Sequence, residues 1–121
     1  MAIQFKDESL RQEYTSLALR NWRLFNLLSA LEVFVRLELK KDLIITEIYR
    51  DAATNSAQGG IANSPHMTWE GVDIRSWIYT EAEIQRILAF LNTFTFRNGK
   101  QVGVYHAVKN GAPHFHIQYG K

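Results

Sequence analysis

Between residues 7 and 39 the large apolar side chains Leu17, Leu19, Trp22, Leu24, Leu27, Leu28, Leu31, Val33, Phe34 and Leu37 recur at spacings of three and four, with polar residues between them. That spacing follows the helical period, so the segment predicts a helical layer with an apolar stripe to bury. The pattern fits one helix or two with a bend near Asn21. More than a quarter of the 121 residues is thus committed to covering something else.

The remainder supplies what it covers. Leu43-Ile44-Ile45-Thr46-Glu47-Ile48-Tyr49 is rich in β-branched residues and bounded by charge, which predicts a strand. Residues 51–65 are mostly Ala, Asn, Ser and Gly, a loop long enough to be suspected of function. A short strand is expected at residues 72–75. Thr80 followed three residues later by Glu83 is a capping box, opening a helix with Ile84, Ile87, Leu88 and Leu91 on its buried side. Asn98-Gly99 and Asn110-Gly111 read as turns, with strands at residues 102–108 and 114–119. The expected fold class is α+β: an N-terminal helical layer packed on a small, mostly antiparallel sheet with one further helix, all in a single domain over residues 1–121.

Composition narrows the chemistry. The chain has no cysteine, so a metal could be held only by His, Asp or Glu. A net charge of +2 with scattered Lys and Arg gives no phosphate-binding stripe, so no nucleic-acid partner is expected. The apolar stretches are interrupted by Glu32, Arg36 and Glu38, which excludes a transmembrane segment there. Met1 to Leu10 is polar and lacks the apolar region of a secretory signal. The protein is expected to be cytoplasmic as synthesised.

Three of the four histidines fall in two compact motifs. His66 precedes Asp73 with six residues between them, and His114 and His116 flank Phe115 on an expected strand. Alternate strand residues share a face, so both strand histidines can reach one point. Four His and four Asp in 121 residues would produce about 0.13 His-x6-Asp pairs by chance, so the two motifs together favour a metal site over coincidence. Two imidazoles and a carboxylate suit zinc, and a fourth position open to water suits catalysis.

The run Ser64-Pro65-His66, Asp73 and the final His-x-His, downstream of Tyr49-Arg50, resembles the superfamily of zinc D-Ala-D-Ala carboxypeptidases, L-alanyl-D-glutamate endopeptidases of phage lysins and the hedgehog signalling domain. The resemblance spans about residues 43–118. It implies that His66, Asp73 and His116 hold Zn2+, that Arg50 contacts substrate, that Ser64 joins the substrate-binding surface, and that the substrate is a bacterial cell-wall peptide. Release by phage lysis machinery or carriage in a virion would bring such an enzyme to the wall. Many members carry Glu or Asp three residues before the last ligand, or Glu six before it; here those positions are Pro113 and Asn110. The serine and glycine that precede Tyr-Arg in the family are Glu47 and Ile48 here.

Proton transfer is therefore assigned to His114, since an imidazole titrates near neutral pH, with Glu47 as its main rival and His106 as a spare carrier. Arg50, at the end of its strand, has no other evident partner in the sequence. The loop at 51–65 is expected to wall the cleft, Trp69 and Trp77 to pack in the core, and Glu70 and the Lys40-Lys41 pair to be solvated. The competing expectation is a non-catalytic zinc-binding phage or prophage module, favoured by the missing acidic base.

Overall fold

A computed structural model describes residues 3–60, 64–96, 99–106 and 111–120. Its elements in chain order are β1 (Ile3–Phe5), α1 (Ser9–Arg20), α2 (Trp22–Phe34), β2 (Leu43–Glu47), α3 (Ala52–Ala57), β3 (Gly71–Arg75), α4 (Glu81–Leu91), β4 (Gly103–His106) and β5 (His114–Gln118). The strands form one sheet in the order β1-β2-β3-β5-β4. β1 runs parallel to β2, and every other pairing is antiparallel. The α+β architecture is as expected, a helical layer and one further helix on a mostly antiparallel sheet.

One face of the sheet is apolar for reasons legible in the strands. Leu43 and Ile45 of β2, Val72 and Ile74 of β3, and Phe115 and Ile117 of β5 are fully or almost fully buried. They form one core with Leu17, Leu24, Leu28 and Leu31 from the helical layer and Ile84, Ile87 and Leu91 from α4. The capping box of α4 is present: the Thr80 hydroxyl accepts from the Glu83 N–H at 3.2 Å, and the Glu83 carboxylate accepts from the Thr80 N–H at 2.8 Å. The same Glu83 oxygen accepts from Lys41 Nζ at 2.5 Å, so Lys41 is an ion-pair partner and not part of a solvated helix end.

The helical layer breaks at Asn21, which leaves helical geometry at φ −155°, ψ 78°. Its side-chain oxygen caps α2 by accepting from the Leu24 N–H at 3.2 Å. Its amide nitrogen donates to the carbonyls of Trp69 (2.9 Å) and Tyr119 (2.8 Å). One buried amide therefore bolts the helical layer to the segments entering β3 and leaving β5. Gly120 makes the approach possible: at φ +121°, a Cβ there would sit 2.2 Å from the Asn21 amide nitrogen.

Several expectations shift. Leu19, Trp22, Val33 and Leu37 are exposed, so the buried stripe is narrower than the apolar pattern. After α2 the backbone continues as a π-helical turn over Val35–Leu39, which alters the helical phase at Leu37. β1 lies in the N-terminal segment read as merely polar, and α3 in the segment read as loop. Trp77 is 69 % exposed and not a core residue, whereas Glu70 is buried and accepts from Thr68 Oγ1 at 2.7 Å. Of the strand expected at 102–108, residues 103–106 form β4, and Val102 precedes it. Residues 107–108, Asn98 and Asn110 lie outside the described residues.

Candidate metal centre

The polar face of the sheet gathers its chemistry by register. Asp73 stands opposite Glu47 on β2 and opposite His116 on β5, and His116 in turn stands opposite Val104. Two residues along, Arg75 faces His114, and His114 faces His106. A classical alternation would have paired Thr46 with Asp73. The register shift between Ile45 and Glu47 turns Glu47 onto the polar face instead, and Ile48 back into the core.

His66 reaches this face from outside the sheet. It sits in a single 3-10 turn, Pro65–Thr68, preceded by Ser64. Pro65 fixes φ at the start of the turn, and the Ser64 hydroxyl accepts from the His66 N–H at 3.3 Å. Trp69 ends the turn at φ 63°, and the chain enters β3 at Gly71. A Cβ on Gly71 would lie 3.0 Å from His116 Cε1 and 3.2 Å from the His66 backbone nitrogen, so a side chain there would press on both the turn and β5.

The side chains of His66, Asp73 and His116 each offer a ligand atom within 4.8 Å of the others. Asp73 Oδ1 is 3.1 Å from His66 Nε2 and 3.0 Å from His116 Nδ1. His66 Nδ1 donates to the Ile48 carbonyl at 2.9 Å, and because a carbonyl can only accept, this contact fixes the ring tautomer. A neutral His66 would then aim its Nε2 lone pair at a carboxylate oxygen. Such an arrangement demands a cation between them, either a proton or a metal. Tetrahedral zinc with bonds of ~2.0–2.1 Å spaces its ligands about 3.3 Å apart, close to the separations seen. The residues fit the metal.

Electrostatics tell the same story for the protonated state. Burial alone would push His66 down, but the Asp73 carboxylate beside it outweighs that and holds the imidazole above its ordinary pKa. Burial would push Asp73 up, yet hydrogen bonds from His116 and His66 hold it well below the usual carboxylate range. His106 is lowered by burial and then by the neighbouring His114 and His116.

All four histidines converge here. His114 Nε2 lies 3.5 Å from Asp73 Oδ2, the oxygen not facing His66 and His116. The His106 ring is 5.0 Å from that of His114 and 6.0 Å from that of His116. His106, read as a spare proton carrier, is at the rim of the centre. Glu47 Oε1, read as the main rival base, is 4.0 Å from His66 Nε2.

Arg50 departs most from expectation. The sequence showed no partner for it, but its guanidinium donates to the Glu47 carboxylate and, at 2.9 Å, to Asn55 Oδ1 on α3. It is a clamp between β2 and α3, largely buried, while still lining the cleft. Ser64 is buried and spends its oxygen on the His66 turn, also at the cleft wall. That cleft encloses about 430 Å³ between the histidines and the Gly59-Gly60 segment, so the segment after α3 does wall it.

The family model described as Peptidase M15 matches residues 5–109. The match contains His66 and Asp73 and ends before β5, so His114 and His116 join the site through the sheet register alone. No curated protein and no solved structure matches the chain.

Proposed function

We propose that this chain, which belongs to the peptidase M15 family, is a zinc-dependent peptidase that hydrolyses an amide bond in bacterial cell-wall peptides. The observation that carries the reading is the convergence of His66 Nε2, Asp73 and His116 Nδ1 at an open cleft, with the His66 tautomer pinned by the Ile48 carbonyl. His66, Asp73 and His116 would hold the ion. When bound, zinc supplies Lewis-acid polarisation of the scissile carbonyl and of a water molecule.

The chain's own residues then divide the work. His114 is the proton carrier: its Nε2 stands at the outer oxygen of Asp73, on the cleft side, with room to take a proton and pass it to the leaving amine. Glu47 is the poorer candidate, because proton transfer there would break its pair with Arg50. Arg50 acts chiefly by holding Glu47 and the α3 wall in place, and contacts substrate only where it lines the cleft. Ser64 orients the turn that presents His66. A phage lysin is the setting in which such a peptidase would act, with the wall reached after lysis begins.

The experiment is metal analysis beside a digest of muropeptides. One zinc per chain is expected, with metal lost in His66→Ala, Asp73→Ala and His116→Ala and new amines released from the digest. Full zinc occupancy in all three variants refutes the ligand set. Zinc bound by the parent protein without any cleavage makes the non-catalytic module the better reading.

A further inference from the structure

The cleft does not end at the histidines. It continues along the sheet as a hollow of about 330 Å³ whose lining includes Asp73, His114, Arg75, Trp77, Lys6 and the Arg50-paired Glu47. Two cations face this hollow, and among the described residues neither is in an ion pair. Arg75 lies at the end of β3, two residues beyond Asp73 and directly opposite His114. Its guanidinium stands 4.6 Å from the centre of the exposed Trp77 ring. A guanidinium held over an indole has its plane fixed while its N–H edges stay free to donate. Lys6 follows β1 and is tied to β2 by its backbone, donating to the Ile45 carbonyl at 2.9 Å. Its exposed side chain adds a second positive charge at the same hollow.

We propose that Arg75 and Lys6, with Trp77 as the platform for Arg75, form a subsite for a carboxylate of the substrate peptide. The inference rests on the peptidase reading above and extends it to substrate class. Arg50 cannot fill this role freely, because its guanidinium is already shared between Glu47 and Asn55. Among the described residues lining the cleft and this hollow, Arg75 and Lys6 are the cations outside an ion pair. Alternate residues of a strand lie about 7 Å apart, so a carboxylate held by Arg75 falls within about two extended residues of a bond lying over Asp73. Both a C-terminal carboxylate and the free carboxylate of an acidic residue next to the scissile bond meet that requirement.

The test uses the zinc-loaded protein and three synthetic peptides: L-Lys-D-Ala-D-Ala with a free C-terminus, the same peptide as its C-terminal amide, and C-terminally amidated L-Ala-D-Glu-L-Lys. Binding is read by tryptophan fluorescence immediately after mixing, and hydrolysis separately by chromatography. At least one carboxylate peptide is expected to bind about tenfold tighter than the carboxylate-free amide, the scale of one charge-assisted hydrogen bond. Which of the two does so identifies the carboxylate's source. Arg75→Ala and Lys6→Ala should each shrink the ratio towards one, and Arg75→Lys should keep part of it. Equal binding of all three peptides by the parent protein overturns the subsite, even if hydrolysis proceeds. Equal weakening of the peptides with and without a carboxylate by Arg75→Ala also overturns it, since Arg75 would then be only structural. A carboxylate preference that depends on Arg75, seen without any hydrolysis, supports the subsite and refutes the peptidase reading.

Discussion

Glu47 stands opposite Asp73 across β2 and β3 because the register between the two strands shifts by one residue after Ile45. The shift brings a second carboxylate to within 4.0 Å of His66 Nε2, and Arg50 neutralises it. Glu47→Gln should therefore keep the zinc and lose only a few-fold in rate, by loosening Arg50 and the α3 wall. Metal content and kcat measured on the same preparation decide this. A loss on the ~10²–10⁴-fold scale of a general base, with zinc retained, would move the proton-transfer role from His114 to Glu47.

His114 is the complementary case. It makes a weak contact with the Ala112 carbonyl at 3.2 Å and approaches Asp73 Oδ2, so removing it disturbs little packing. His114→Ala is expected to retain zinc and the parent melting temperature while kcat falls by ~10²–10⁴-fold. Loss of zinc in this variant would make His114 a ligand and send His116 to a supporting position.

The sequence made the core and the strand histidines legible because both follow short-range periodicity. Leu43 and Ile45, Val72 and Ile74, and Phe115 and Ile117 alternate as strands must, and His114 and His116 follow the same rule on the opposite face. What escaped depends on contacts between distant segments. β1 is three residues long, too short to show a pattern, and exists because Ile3 and Phe5 pair with Leu43 and Ile45. The register shift does leave a trace: the buried positions of β2 and beyond run Leu43, Ile45, Ile48, a spacing of two followed by three. The partners of Arg50 left none, since Asn55 reaches it only because α3 folds back after Asp51 caps it through the Thr54 N–H at 2.7 Å.

Asn21 carries an unusual structural burden for a residue in the middle of an apolar stripe. Asn21→Ala leaves the Trp69 and Tyr119 carbonyls without their donor and removes the cap of α2. Each unsatisfied buried group costs about 1–3 kcal/mol and the cap about 1 kcal/mol, so a loss of several kcal/mol is expected. Gly120→Ala should destabilise by a similar route, since its Cβ would collide with the Asn21 amide. Denaturant unfolding of both variants checks this, and a change below about 0.5 kcal/mol in Asn21→Ala would show that the amide is not the bolt described.

Zinc and protons should compete for the same centre, and the sign of that competition can be worked out. In metal-free protein His66 is held above its ordinary pKa, so its charged form adds stability that is complete below about pH 6.5 and is lost as pH rises through the folded value. Asp73 is held below its ordinary pKa, so its contribution is present above about pH 4 and is lost as pH falls through the folded value. Metal-free protein should accordingly be most stable between about pH 4 and pH 6.5. Zinc requires the imidazoles without their extra protons, so its binding strengthens as pH rises, and a ligand that binds only the folded chain stabilises it in proportion. Chelation should then lower the melting temperature little at about pH 5.5 and much more at about pH 8. Calorimetric scans of zinc-loaded and chelated protein at the two pH values test the point, with His66→Ala as the control in which the difference should vanish. A chelation effect of equal size at both pH values would mean that zinc does not displace a proton from the His66–Asp73 pair, and the centre would have to be sought elsewhere.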